Sequence, residues 1–303
     1  ILPFLSGRVT LDTSQDLEGQ GRGDMEVRLK YAYARFDFGD RGPVSGLNLE
    51  AGIVHMVWLD FEEHINHYRM RGPMFMERSG IFNSADFGLT LAGGLGPKLE
   101  GDALRHINSK YAARHGSFAV GLYNGSGYHG DERNTEKTSE IRATWRPMPE
   151  RLPGLQISGL AIVGTVNQPA VDGSPPTWET YNAMVSFEHE RGVVTAQYVS
   201  GQGNQRGSWI EPEAPSESTD YDGYSAFGEM RFGEHLQWRV IATVDRFERM
   251  AGGTDESFNR GNIGIGYDFG KGNIFIVDAD RIDYDEDGRA SDTRYQAAFQ
   301  LRF

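Results

Sequence analysis

The C-terminal stretch alternates without a break: Thr293, Tyr295, Ala297, Phe299, Leu301 and Phe303 fall on one face, and Arg294, Gln296, Ala298, Gln300 and Arg302 on the other. A period of two sends successive side chains to opposite faces of an extended strand, so one face is greasy and the other wet. That is the stave pattern of a barrel whose outside meets hydrocarbon and whose inside meets a polar lumen. The last stave would pair with residues 3–12, where Leu5, Val9 and Leu11 offer a matching apolar face.

The pattern recurs. Turn clusters divide the chain into about 14 alternating segments, near residues 3–12, 25–38, 44–59, 82–95, 107–124, 136–147, 154–167, 178–190, 192–202, 221–232, 235–249, 259–270, 272–284 and 292–303. An even count leaves both termini on one side, with short and long connections alternating. The short side reads Phe38 to Pro43, Pro147 to Pro153, Glu190 to Gly192, Gly233-Glu234 and Gly270-Lys271-Gly272. The stretch from Gly96 to about His106 is too long for that side. It predicts an earlier start of the fifth stave, or a helix-like or extra-strand feature, and 12 to 16 strands fit the pattern. Alternation also slips around Phe36 to Phe38 and Phe275 to Arg281.

The expected fold is therefore all-β: a single domain over residues 1–303, a transmembrane antiparallel up-and-down β-barrel. Hydrophobic content is 38% and no run of 18 apolar residues occurs, which excludes a transmembrane helix but not a barrel. A soluble sandwich alternates too, but with shorter turn spacing and no alternation of long and short loops. The absence of cysteine removes disulfides, thiolate catalysis, Cys-ligated zinc and Cys-attached haem.

Outward candidates are Ile141, Ala143 and Trp145, then Tyr181, Ala183, Val185 and Phe187, and Ile263, Ile265, Tyr267 and Phe269. The intervening residues give pore-lining candidates: Arg142, Arg146, Arg231, Arg239 and Arg294 against Glu140, Glu188, Asp245 and Asp268, with Glu50, Asp86 and Arg28 among further charged inward positions. Rows of Arg facing carboxylates create a transverse field that orients small polar solutes; the same residues could instead form salt bridges that fill a narrow interior. The long loops carry the whole net charge of −13. An acidic vestibule concentrates cations; the same acids also keep an exposed surface soluble, or bridge to lipopolysaccharide through divalent ions.

The longest segment between staves, Asp60 to Gly80, is dense in charge and aromatics. It is the candidate for a constriction folded into the pore, with His64, His67, Arg69, Arg71, Glu77 and Arg78 at its centre. Asp283, Asp285 and Asp287 open a D-x-D-x-D-G sequence, but Arg294 stands at the twelfth position where a bidentate Glu is needed. An EF-hand is excluded, leaving a weak surface calcium site or an acidic hairpin tip. No other cofactor is implied. No Walker loop occurs, the basic residues are too dispersed for nucleic acid, and the eight His show no catalytic partnering.

Three groups of segments carry a resemblance: Glu77-Arg78-Ser79-Gly80-Ile81-Phe82-Asn83-Ser84-Ala85-Asp86-Phe87-Gly88-Leu89; Phe118-Ala119-Val120-Gly121-Leu122-Tyr123-Asn124-Gly125-Ser126-Gly127; and Trp145-Arg146-Pro147-Met148-Pro149 with Leu152-Pro153-Gly154-Leu155. They resemble the porin O and P family. The resemblance implies a trimeric diffusion channel of the bacterial outer membrane, surrounded by lipid and lipopolysaccharide, with phosphate or polyphosphate selectivity in some members. The chain lacks that selectivity's lysine or arginine ladder. The resulting expectation is a passive, non-enzymatic porin for small hydrophilic solutes or ions. The alternative, from a different class, is a structural sheath around a partner such as an electron-transfer cytochrome, for which Gly121, Gly264, Gly266 and Ala298 would provide a smooth lumen.

Overall fold

A computed structural model describes residues 4–15, 23–170, 173, 175–251, 254–286 and 288–301. The strands are β1 Leu5–Gln15, β2 Met25–Arg41, β3 Val44–His55, β4 Ala85–Leu95, β5 Gly116–Tyr123, β6 Thr138–Trp145 and β7 Leu155–Thr165. They continue with β8 Thr177–His189, β9 Gly192–Gln202, β10 Ile210–Glu211, β11 Ala214–Ser218, β12 Asp220–Phe232, β13 Trp238–Ala251, β14 Thr254–Asp255, β15 Phe258–Asp268, β16 Ile274–Tyr284 and β17 Asp292–Gln300. Fourteen of them form one up-and-down antiparallel ladder in chain order from β1 to β17, interrupted only by the short hairpin β10–β11 and by β14. Among the described residues β1 and β17 are the edges of this ladder; Phe303, expected to close it, lies outside them.

The period-two reading holds strand by strand. In β6 every second residue is buried, with Glu140, Arg142 and Thr144 inward and Ile141, Ala143 and Trp145 outward. Outward tyrosines stand near the long-loop end at Tyr181, Tyr198, Tyr224 and Tyr295. At the short-turn end a chain of ring contacts runs from Phe232 to Trp238, Tyr267, Phe269 and Phe299. Two aromatic rows bounding an aliphatic belt are how a barrel marks the edges of hydrocarbon.

The two slips in alternation have different causes. Around Asp37 to Gly39 the β2–β3 register shifts, and Gly39 takes φ 68°, a left-handed conformation that an unbranched backbone tolerates. Around Phe275 to Arg281 the register is continuous. There the slip is chemical: Ile276 points inward and is fully buried, because the interior at that height is apolar.

The interior is filled by two segments of the chain itself. Residues 56–84 enter from the long-loop end and carry the helices α1 Val57–Ile65 and α2 Phe75–Arg78. Trp58, Phe61, Ile65, Phe75 and Met76 pack into one core with inward wall residues Leu160, Ile162, Trp178, Ile241 and Ile276. Residues 96–115 enter from the short-turn end, with a 3-10 turn at Gly101–Arg105 and an isolated bridge between Lys98 and Ala113. Two expected staves are thereby shortened. The third ends at His55 because the apolar spacing of Val57, Trp58, Phe61 and Ile65 suits a helix facing a core. The fifth begins at Gly116, because 108–111 bonds to side chains inside the barrel and 112–115 folds back onto the backbone of 95–99.

Candidate functional site

Each inserted segment is clasped by a carboxylate projecting from the wall. Glu140 on β6 accepts the Val57 N–H at 2.9 Å and the Trp58 N–H at 3.0 Å, taking up orphan donors in the first turn of α1. Glu188 on β8 accepts from the Asn108 N–H and Nδ2, each at 3.1 Å. Arg146 donates through Nη2 to the Tyr111 carbonyl at 2.8 Å and through Nε to the Ala113 carbonyl at 3.2 Å. Arg142 lies 4.4 Å from the Phe61 ring centroid and 5.1 Å from that of Tyr111, and donates to Ser117 and Thr144. Both guanidiniums point inward, as expected of lumen residues, and are buried at 0% and 1% exposure beneath the inserted chain.

The opposite wall is an ionic lattice. Arg231 and Arg239 face each other across β12–β13, a repulsive pairing relieved by Glu229, which accepts two bonds of 2.8 Å from Arg231 and one of 3.2 Å from Arg239. Arg239 also reaches Asp268 at 2.5 Å. The inserted loop docks onto this lattice: the Tyr68 hydroxyl donates to Glu229 at 2.6 Å, and Arg78 pairs with the buried Asp245. Arg71 donates to Thr243, Arg294 reaches Asp280 at 3.3 Å, and Arg69 binds Glu77 and, at 3.2 Å, Glu63.

Within α1, burial pushes the Glu62 carboxyl up to about 7, partly offset by hydrogen bonds from Gln197 at 2.7 Å and Trp58 at 3.0 Å. Burial opposes ionisation of Asp60 too. There Lys110, whose Nζ lies 2.6 Å away, outweighs burial and holds the carboxyl well below its usual range. The Tyr111 hydroxyl donates to the same carboxylate. This Asp60–Lys110–Tyr111 knot is where the two inserted segments meet. His64 lies edge-on to Tyr111 with ring centroids 5.6 Å apart. His67 sits on the same loop and is bonded.

What the two segments leave unfilled is a cavity of about 300 Å³ along the inner face of β2–β5. Its wall carries Arg35, Asp37, Asn48 and Glu50; its other side carries Asp60, Lys98, Lys110 and Tyr111. Arg35 bonds Asp37 at 2.9 Å and Glu50 at 3.0 Å. Of these groups the sequence pointed to Glu50 and to the loop holding Asp60. Lys98 and Lys110 escaped notice because their segment was assigned to a turn and a stave; its excessive length was the available signal. Among the described residues no cluster of three or more His, Asp or Glu could hold a metal. Asp283 is engaged by Arg281 and Ser291, Asp285 by Arg246, and Asp287 lies outside the described residues.

No protein family and no curated protein matches the sequence. Solved structures do match. The loop L8 deletion mutant of OmpT, an outer membrane protein of Vibrio cholerae, aligns with a TM-score of 0.57 at 11% identity, covering 99% of this chain and 86% of that one. The outer membrane channel DcaP of Acinetobacter baumannii gives 0.54 at 10% identity, over 97% and 79% of the two chains. In-vitro folded OmpT of Vibrio cholerae gives 0.51 at 13% identity, over 93% and 76%. The fold is that of outer-membrane β-barrels.

Proposed function

We propose that the chain is a passive channel of the bacterial outer membrane for small hydrophilic solutes or ions. The observation that carries this reading is the cavity of about 300 Å³ between the β2–β5 wall and the inserted segments, with Arg35, Asp37, Glu50, Asp60, Lys98 and Lys110 on its lining, inside a barrel whose outside is an apolar belt between aromatic rows. Passive permeation needs polar groups along a track beside a fixed constriction, since solutes must exchange water for lining groups without being trapped, and the charged residues of this cavity are groups of that kind. The likeness in fold to an outer membrane channel supports it. The alternative sheath asks for a lumen wide enough to hold a partner protein, whereas α1, α2 and 96–115 occupy that space.

In this reading the outer belt meets lipid and lipopolysaccharide, and the porin O and P resemblance adds a homotrimer, to be checked by cross-linking in the membrane. The test of the channel is single-channel recording in a planar bilayer. Steady ohmic steps of small conductance are expected, since the track is narrow. A protein that inserts, is heat-modifiable as a folded barrel, and stays silent would overturn the channel.

A further inference from the structure

The cavity is unusual in the placement of its charges. The β2–β3 wall contributes Asp37, Glu50 and Arg35, a net negative side; the inserted segments contribute Lys98, Lys110 and Asp60, a net positive side. The two sides are not equally satisfied. Asp60 is saturated by Lys110 and Tyr111, and Arg35 by Asp37 and Glu50. Lys98 is exposed and has no ion-pair partner among the described residues. Glu50, only 8% exposed, gives one oxygen to Arg35. Beside them the buried Ser45 hydroxyl has no hydrogen-bond partner, an expensive condition unless something polar visits it. A cavity whose lining holds acids on its wall, an unpaired ammonium on the inserted chain and an unsatisfied hydroxyl favours a solute bearing both charges at once.

Resting on the channel reading, we infer that this cavity is a recognition site for small zwitterions of the amino-acid type, the solute's ammonium turned to Glu50 and Asp37 and its carboxylate to Lys98. Ser45 takes a hydrogen bond to either end. The size fits: ligand sites begin at about 300 Å³, enough for a single amino acid but not for a folded peptide. A simple anion would meet the β2–β3 wall, still net negative after Arg35 has paired with Asp37 and Glu50, and a simple cation would meet Lys98. The site thus discriminates by dipole rather than by net charge.

The experiment compares two electrically neutral solutes of the same heavy-atom count, L-alanine and lactamide, by osmotic swelling of proteoliposomes. L-Alanine is expected to enter several-fold faster than lactamide. The ratio should fall toward one in Lys98→Gln and in Glu50→Gln, and recover in Lys98→Arg. Because the ratio is internal to each preparation, a variant that folds poorly lowers both rates and leaves the comparison intact. Equal entry of the two solutes into the wild-type vesicles would overturn the recognition site while leaving the channel standing. Vesicles that swell with neither solute and conduct no ions would overturn the channel reading itself.

Discussion

The two inserted segments enter the same barrel from opposite ends and do different work. Residues 56–84 bring Trp58, Phe61, Ile65, Phe75 and Met76 into the main core, and the wall that closes it is apolar on its inside at Leu160, Ile162, Trp178, Ile241 and Ile276. Residues 96–115 bring Tyr111 to that core and otherwise a small cluster of Leu99, Ile107 and Ala112. Their other contacts are polar, through Asn108, Lys110 and the Arg146-bound carbonyls. One insertion is a core element that happens to sit in a lumen. The other is a brace that shapes what the first leaves open. The difference teaches that a polar alternation pattern does not guarantee a wet interior. Where a chain supplies its own apolar insert, inward positions turn aliphatic.

The contrast can be broken at several points. Trp58→Ala should lose about 3–5 kcal/mol by emptying the core, against about 2 kcal/mol for Leu99→Ala in the small cluster. Urea unfolding in detergent micelles measures both, and equal losses would erase the distinction. Arg78→Ala leaves the carboxylate of Asp245, whose side chain is 0% exposed, without its cation, at a cost of about 3 kcal/mol. Lys110→Ala, at a partly exposed pair, should cost below about 1 kcal/mol.

A pH scan separates the segments further. Glu62 has its carboxyl raised from 4.5 to about 7 by burial, so its contribution to stability is complete below about pH 4.5 and is lost as pH rises through about 7. Glu62→Gln should flatten that decline; a variant with the wild-type slope would place the titration elsewhere. Asn108→Ala should cost about 1 kcal/mol: the Nδ2 bonds to Glu188 and the Tyr111 N–H bond to Oδ1 are lost, while the backbone N–H of residue 108 keeps its bond to Glu188. Its signature should be noisier conductance as the brace loosens, and a quiet trace would show that Arg146 and the Asp60–Lys110–Tyr111 knot hold 96–115 without the Asn108 side chain.

Much of the barrel was legible because lipid enforces a period of two. The bounds expected from alternation, such as 192–202 and 221–232, fall within a residue of β9 and β12. The insertion of 60–80 was legible from its length and its mixture of charge and rings. What escaped was everything that depends on contacts between segments distant in sequence. Arg142 and Arg146 read as pore-lining cations because alternation fixes the face of a side chain but not what lies over it. Nor does a strand pattern reveal that a long connection on the short side turns inward, although Leu99 was an apolar residue without a place in a turn, and Ile107 and Tyr111 had been given to the fifth stave. Ile276 was the clearest neglected clue: an aliphatic side chain on a lumen face announces a packed interior.

The aromatic rows bear on which membrane suits the barrel. On β12, Tyr224 and Phe232 are separated by eight residues, about 27 Å along the strand. At a strand tilt of about 40° that leaves a belt roughly 20 Å tall. Hydrocarbon of ordinary thickness, about 30 Å, would have to thin around such a belt at a cost for every ångström of mismatch, whereas a bacterial outer membrane is already thinner than average. Hydrophobic mismatch would therefore disfavour the folded barrel in a thick bilayer, and reconstitution into short-chain lipid should be the more efficient.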